Sequence, residues 1–340
     1  MINAAAGARV IGLDILLTQR DRLSPEALLS DLPNISPEIK QALSALPRPD
    51  AILAKSLTQV PVVLAAEAST MGDGDPRTLV AVTPVFEAGV DPRPAMPHYR
   101  SLVPPLPELA AASRGVGLAS QVSEPDGIAR RMSVVLAAGP ALMPSFAAEV
   151  LRIATRAERI ELRSGPAGGR ELAIGDRLIK IDSQGRIWPH LGNPMAAQSI
   201  SAYRLLDGTV GPSFFRDRIV LVGVGAAGLG GVNVTPLRQT EPAIFIQAHL
   251  IDSMMSGNIL WRPPLAKGVE VLLALTLSAA ALLLLGRVSD YTYGILFGTI
   301  ALFSVLGSFL AFQSGGGASR LDISDVGPHR NDARRVRPAD

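Results

Sequence analysis

Short apolar runs, separated by glycine, proline and polar residues, recur along the first 264 residues and predict buried strands. The first run, RVIGLDILL at residues 9–17, is typical of a strand that is buried on both faces. The predicted strands cover residues 9–17, 62–65, 79–85, 116–120, 132–138, 171–174, 178–182, 186–189 and a run that begins at Ile219. Turns at 175–176 and 183–185 predict that the strands around them form a meander.

Helical spacing and capping residues predict helices between these strands. The predicted helices cover residues 36–46, 145–156, 199–208 and 246–255. Residues 91–107 contain six prolines and are predicted to be an extended surface loop. This order of strands and helices predicts a mixed α/β (α+β) domain over residues 1–264.

Two long apolar stretches follow and predict a transmembrane helical hairpin at residues 265–312. Residues 291–312 form 22 consecutive positions without a charge, and residues 268–285 have Glu270 as their only charge. The connection at 286–290 is short enough for a tight antiparallel pair. The alternative is a pair of buried helices in a soluble core.

The balance of charges limits the partners of this chain. Lys and Arg total 32 and Asp and Glu total 30, so no basic field indicates nucleic acid. Cysteine is absent, which excludes disulfides and cysteine-based zinc sites and leaves the cellular compartment open. Charged residues make up only 18% of the chain, and this low share agrees with a segment in lipid.

A glycine-rich turn follows the strand that begins at Ile219. Residues 218–231 read RIVLVGVGAAGLGG, and Gly223 to Gly228 have the spacing G-x-G-x-x-G that holds a pyrophosphate in dinucleotide-binding folds. That chemistry needs a helix that starts inside the motif, and two further glycines and Pro236 argue against one. We therefore predict a loop at the rim of a sheet, where another ligand can bind.

The sequence contains no catalytic or metal-binding motif. The four histidines show no metal-ligand spacing, and neither a nucleophile elbow nor a phosphate-binding loop occurs. His249 and Asp252 share one face of a predicted helix, either as an orienting pair or as a plain surface pair. The chain is predicted not to be an enzyme, and no metal or cofactor is expected.

Asp14 is the acidic residue of greatest interest because it lies inside the apolar run VIGLDILL. A buried carboxylate is costly unless it meets a cation, backbone amides or a ligand, and the alternative is that Asp14 caps the next turn. One of Arg130 and Arg131 is expected to be solvated, and the other to pair with Asp14 or Asp126. Pairing would lower the pKa of Asp14 and stabilise the fold.

Five segments occur in an order that resembles a known family. They are IGLDILL (11–17), EPDGIARR (124–131), SAYRLLDG (201–208), RIVLVG with a glycine loop and TPL (218–237), and IQAHLIDSMMSG (246–257). Between about Val10 and Pro264 the chain resembles the type-two CHASE domain. That domain is the extracytoplasmic sensory domain of bacterial adenylate cyclases, histidine kinases and serine/threonine kinases. The resemblance implies a role in signal input, with an unknown ligand.

The chain also departs from that pattern. The resemblance implies one membrane helix before the sensor, about three after it, and a cytoplasmic output domain. Here Met1 lies shortly before the first strand, two apolar stretches follow the domain, and residues 313–340 are polar and predicted to be disordered. The chain is therefore expected to be an N-terminally truncated sensor without its output domain. Gly230 and Gly231 stand where the family often has an Asp.

The predicted function is a membrane-anchored sensory input domain that contacts the lipid bilayer, receives a small-molecule or protein signal and forms a homodimer. The candidate ligand-binding residues are Asp14, Arg130, Gly223, Gly225, Thr235 and His249. The alternatives are a membrane-bound α/β enzyme or nucleotide-binding protein that uses residues 223–231, and a structural dimerisation module. The domain is expected outside the cytoplasm, although arginines in the tail favour the opposite orientation by the positive-inside rule.

Overall fold

A computed structural model describes residues 7–32, 34–70, 85–121, 124–165, 169–191, 199–226, 231–237, 240–260, 266–284 and 289–317. The chain divides into two units, Met1–Leu283 and Leu284–Asp340. The strands are β1 Val10–Asp14, β2 Val62–Ser69, β3 Val85–Gly89, β4 His98–Tyr99, β5 Ser101–Val103, β6 Gly115–Leu118, β7 Met132–Ser133, β8 Val135–Ala138, β9 Ala141–Pro144, β10 Ile160–Ser164, β11 Arg170–Ile174, β12 Arg177–Ile181, β13 Arg186–Pro189, β14 Ile219–Gly223, β15 Val232–Val234, β16 Thr240–Pro242 and β17 Ile259–Leu260. The helices are α1 Pro25–Asp31, α2 Pro37–Ser44, α3 Pro49–Leu57, α4 Pro107–Ala112, α5 Phe146–Ala154, α6 Ala202–Leu206, α7 Ala243–Ser256, α8 Ala266–Leu284 and α9 Asp290–Gly317.

Four parallel strands in the order β14-β1-β2-β6 form the central sheet of the first unit, and β5 pairs antiparallel with the end of β2. The first four residues of β1 are buried, as the run VIGL predicts for a strand covered on both faces. The predicted mixed α/β fold is confirmed in this unit. The carboxyl ends of β1 and β14 meet at one edge of the sheet, where the candidate site lies.

Helix α5 packs closely on one face of the sheet. The Ser145 hydroxyl caps it by accepting a hydrogen bond from Ala148 N at 3.2 Å, as its position before the helical pattern predicts. Gly117 allows the close approach, because a Cβ at that position would lie 2.6 Å from the Phe146 Cα. Residues of α5 and α7 share a buried core with Val10 and Val63.

Helices α3 and α4 cover the opposite face. Leu57 at the end of α3 and Leu109 in α4 are almost fully buried, and they share a second core with Ile11, Leu13 and Leu64. Because successive side chains of β1 point to opposite faces, its apolar residues divide between the two cores. The parallel sheet therefore lies between two layers of helices.

A second sheet has the order β12-β11-β10-β3. The predicted hairpin turn at Gly175 is present and joins β11 to β12, with Gly175 at a φ of 59°. The strand predicted at residues 186–189 is present as β13, but its place in the meander is wrong, because it pairs with β7 and β17 and not with β12. The turn after β12 redirects the chain: Asp182 Oδ1 accepts hydrogen bonds from Gln184 N and Arg186 N.

Two further predictions need correction. Residues 91–107 are not loop throughout, because β4 and β5 form in the stretch between Pro97 and Pro104 that has no proline and can donate to neighbouring strands. The helix predicted to begin at Ser199 is shorter: Ser201 caps α6 by accepting a hydrogen bond from Tyr203 N at 3.3 Å. Part of the strand predicted at 79–85, residues 79–84, lies outside the described residues.

The two apolar stretches of the sequence form α8 and α9, so the prediction of helices there is confirmed. Among the described residues, no helix has the length and apolarity required to cross a membrane. The predicted transmembrane character is therefore not supported. Helix α9 reaches Gly317, five residues into the tail that was predicted to be disordered, and residues 318–340 lie outside the described part of the chain.

Candidate ligand site at the carboxyl edge of the parallel sheet

The carboxyl ends of β1 and β14 form the centre of the candidate site. Asp14 and Gly223 are register partners at the ends of these two strands. The next strand in the chain, β2, lies on one side of β1, and the much later strand β14 lies on the other side. The strand order therefore reverses between β1 and β14. In open α/β sheets, ligands bind outside the carboxyl ends of strands at such a switch point.

Asp14 places a poorly compensated carboxyl group at this edge. No described residue forms a hydrogen bond or an ion pair with its side chain. Burial raises the pKa of Asp14 to about 6, because a low-dielectric environment disfavours the charged form. A lowered pKa was expected only if Asp14 had a cationic partner, and the described residues bring no such partner to it.

The glycine-rich turn is explained in part by packing. A Cβ at Gly223 would lie 2.9 Å from side-chain atoms of Ile244 at the start of α7, so the absence of a side chain lets the helix approach the strand. Gly225 has more space, with the ring of Phe245 at 3.9 Å from the same hypothetical atom. Residues 231–237 contain no helix, as predicted, and residues 227–230 lie outside the described part.

We expect Gly223→Val to lower the free energy of unfolding by about 1–3 kcal/mol, because the added side chain overlaps Ile244 in a packed interface. Gly225→Val is the matched control, with an expected change within about 0.5 kcal/mol because its surroundings are open. Urea denaturation of both variants measures the difference. Equal effects at the two positions would contradict this account of the turn.

Thr235 and Arg130 lie close together because a backbone hydrogen bond joins the segments that carry them. In the described part of the chain, neither residue contacts Asp14. Ala129 N donates a hydrogen bond to Val234 O at 2.8 Å, and Thr235 is 1% exposed. Arg130 pairs with Asp126 at 2.7 Å between Nη2 and Oδ2, one of the two partners that the sequence left open. The pairing of Arg130 with Asp14 is therefore excluded among the described contacts.

His249 is buried in α7, with 1% of its surface exposed. Its Nε2 lies 3.3 Å from Glu241 Oε2, whereas Asp252 is exposed. His249 and Asp252 are therefore neither an orienting pair nor a surface pair, and both interpretations are wrong. The reason is that α7 packs against α5 and also lies beside β13, β14 and β16, which buries His249. His249 belongs to the interior of the domain and does not share the position of Asp14.

Sequence reasoning missed an ionic cluster in and after the segment EPDGIARR. Arg131 donates to both carboxylate oxygens of Glu124 at 2.5 and 2.6 Å, and lies 3.6 Å from Asp182. Arg186 is almost buried and pairs with Asp182 at 3.1 Å. These contacts lower the pKa of Glu124, mainly through the hydrogen bonds from Arg131. The charges in EPDGIARR could have indicated an ion pair within that segment. They could not have indicated Asp182 and Arg186, because these residues are distant in sequence.

The structure brings Asp14 and Gly223 together and places Gly225 beside the first turn of α7. Arg130, Thr235 and His249 have other surroundings. In the described part of the chain, no group of three or more His, Asp or Glu side chains has the arrangement to hold a metal ion. The edge can therefore offer a ligand one titrating carboxyl group, backbone groups of the glycine turn and the start of α7.

Comparison with known proteins gives one family match. The family model described as CHASE2 domain matches residues 2–286. No catalytic family is detected. Neither the curated proteins nor the solved structures contain a match to this chain.

Proposed function

Because this chain belongs to the CHASE2 domain family, we propose that it is the membrane-anchored input module of a signal-transduction protein and receives its signal at the carboxyl edge of the parallel sheet. CHASE2 is a sensory domain, so a role in signal input follows from the family. Such domains are typically extracytoplasmic. Three features go beyond what the family implies and are our proposal. They are the attachment to the membrane, the position of the ligand site, and an output function carried by a separate region of the protein.

The observation that carries the site is the carboxyl group of Asp14. It ends a strand at the point where the strand order reverses, and no described residue compensates its charge. A carboxylate of this kind weakens the fold at neutral pH unless a donor or a cation meets it. A small ligand with an ammonium or another hydrogen-bond donor would supply that partner, and the exposed Gly225 follows in the turn after β14.

Membrane attachment is supported by the surfaces of α8 and α9. Large apolar side chains are exposed along each helix: Val271, Leu272, Leu273, Leu275, Leu277, Leu282 and Leu283 on α8, and Ile295, Leu296, Phe297, Leu302, Phe303, Val305, Leu306, Phe309 and Leu310 on α9. Apolar surface of this extent requires a cover, and a lipid bilayer is the partner we propose. A homodimer that joins these helices is the competing cover.

The location of the domain can be measured with reporter fusions. We expect alkaline phosphatase fused after Pro264 to be active, because the sensory domain precedes that point and lies outside the cytoplasm. A cytoplasmic fluorescent reporter fused at the same position is expected to remain dark. Fluorescence there, together with inactive phosphatase, would place the domain in the cytoplasm and reject this part of the proposal. A second pair of fusions after Ala311 tests whether the chain returns across the membrane.

The nucleotide-binding alternative predicts a different result from ours. We expect the full-length protein to show no saturable calorimetric binding of NAD, NADP or FAD at micromolar concentration. Ile244 occupies the space over Gly223, and residues 231–237 contain no helix whose amides would converge on a pyrophosphate. Saturable binding of any of the three that Gly225→Val abolishes would favour the alternative.

A further inference from the structure

A cavity lies at the opposite, amino-terminal ends of the same strands. We call it the amino-edge basin: it has a volume of about 830 Å³ and lies between the residues that precede β1, β2 and β14, the last turn of α5 and the turn between β11 and β12. Three arginines line it, Arg9, Arg156 and Arg177, together with Asp176 and Asp217. The three arginines and two aspartates give the lining a formal charge of +1.

The charged side chains of the basin form no ion pairs with one another in the described part of the chain. Among the described residues, Arg9, Arg156, Asp176 and Asp217 take part in no ion pair. Arg177 uses one group, Nη1, to donate a hydrogen bond to Met255 O at 2.5 Å, and its other donors remain for a ligand. Arg9, Arg156, Asp176 and Asp217 are exposed to solvent, so water meets their hydrogen-bonding groups and a ligand in the basin would replace that water.

The backbone conformation of two lining residues is an independent indication that the basin is a binding site. Arg156 and Asp217 have φ angles of 57° and 58°, and they are the two non-glycine residues with a positive φ in the described part of the chain. Arg156 follows the C-cap of α5, a position where glycine is strongly preferred because it adopts this conformation without strain. Both strained residues line the same basin, and strained positions of this kind concentrate at binding sites.

We propose that the amino-edge basin binds a small molecule that carries a phosphate-type oxyanion next to hydroxyl or ammonium groups. Arg9, Arg156 and Arg177 hold the oxyanion through charge-assisted hydrogen bonds. Asp176 and Asp217 accept hydrogen bonds from the hydroxyl or ammonium groups of the ligand. Because the two carboxylates repel an anion that brings no such donors, they disfavour binding of the oxyanion alone. This site is separate from the carboxyl edge, so its failure would leave the proposed function untouched.

Calorimetry with the full-length protein tests the chemistry with three probes. Glucose 6-phosphate offers both the oxyanion and the hydroxyls, inorganic phosphate offers the oxyanion alone, and glucose offers the hydroxyls alone. We expect the first to bind most tightly and glucose not to bind at millimolar concentration. Absence of glucose 6-phosphate binding at millimolar concentration, or equal affinities for glucose and glucose 6-phosphate, would overturn the proposal.

Two glycine substitutions separate binding from folding. Arg156→Gly and Asp217→Gly each remove a strained conformation, so both are expected to raise the melting temperature. Arg156→Gly should weaken binding of glucose 6-phosphate by about 10-fold or more, the loss of one charge-assisted hydrogen bond. Asp217→Gly should retain the affinity for inorganic phosphate and lose the preference for the sugar phosphate. Arg20→Ala, an exposed arginine outside the basin, is the control for charge alone.

A lipid headgroup carries the same chemistry as a soluble phosphorylated molecule, and vesicle flotation distinguishes the two sources. If the ligand is a headgroup, the protein should float more with phosphatidylglycerol vesicles than with phosphatidylcholine vesicles, and Arg156→Gly should remove the difference. If the ligand is soluble, the two vesicles should give equal flotation while glucose 6-phosphate binding persists. Unchanged binding of every probe in Arg156→Gly would contradict the assignment in both cases.

Discussion

Replacing Arg152 with methionine is expected to lower the free energy of unfolding by about 3–5 kcal/mol, the usual cost of removing one partner of a buried ion pair. Arg152 and Glu149 lie one turn apart on α5, and Glu149 is 0% exposed. The guanidinium donates to both carboxylate oxygens, at 2.8 Å from Nε and 2.6 Å from Nη2, and also to Ala157 O at 3.1 Å. Methionine retains most of the volume and none of these bonds.

The charge, and not the volume, is expected to cause this loss. In the double variant Glu149→Gln with Arg152→Met, the carboxylate becomes a neutral group of the same shape, so most of the stability should return. The shape must be kept because Glu149 lies against Gly115 of β6. Arg163→Met, which removes an exposed pair with Glu161 on β10, is the control and should cost less than about 1 kcal/mol. Equal losses in the single and double variants would contradict the electrostatic explanation.

Asp14→Asn is expected to stabilise the protein above pH 6 and to have little effect at pH 4. The folded-state pKa is raised to about 6, so between about pH 4 and pH 6 the folded protein binds more protons at Asp14 than the unfolded chain does. The stability contributed by this group therefore falls as the pH rises through that window. Asparagine does not titrate, and at pH 7 the gain should approach about 3 kcal/mol, the value of a shift of two pKa units.

Denaturation curves at pH 4, 5, 6, 7 and 8 measure this effect. The wild-type protein should lose stability relative to Asp14→Asn across pH 4–6, with the difference constant above that range. Asp252→Asn, an exposed acidic residue of α7, is the control and should change stability by less than about 0.5 kcal/mol at every pH. A destabilised Asp14→Asn at pH 7 would mean that the ionised carboxylate has a favourable partner, and the candidate site would lose its main support.

Several elements could be predicted because their signals are local. The strands β1, β2 and β14 follow from runs of branched apolar residues, and α5 follows from Ser145 and helical spacing. The strand β13 was predicted with its observed bounds, but its pairing was wrong because the neighbour of a strand is decided by the rest of the fold. The prolines of residues 91–107 predicted an extended loop, but they did not exclude the short 3-10 helix at Arg93–Ala95, the strands β4 and β5, or the start of α4 at Pro107.

The candidate site likewise has features that the sequence predicted and features that only the structure shows. The cost of a carboxylate inside VIGLDILL was evident from the run itself, and a role of Asp14 in ligand binding stays a prediction. The sign of its pKa shift stayed conditional at the level of sequence, because it depends on whether a cation lies near the side chain in space; burial without such a cation raises the pKa. For His249, helical spacing identified Asp252 as its neighbour, whereas the buried contact is with Glu241 from β16.

By itself the sequence determined that an α/β domain precedes two apolar helices, and five ordered segments indicated its sensory family, because strands, helices and motifs are encoded in short stretches of residues. Only the tertiary structure decided that Asp14 and Gly223 end side by side, that Gly223 accommodates Ile244, and that arginines from three separate segments line one basin. These features bring together residues that are far apart in the chain. Their positions follow from strand order and packing, which no local pattern records.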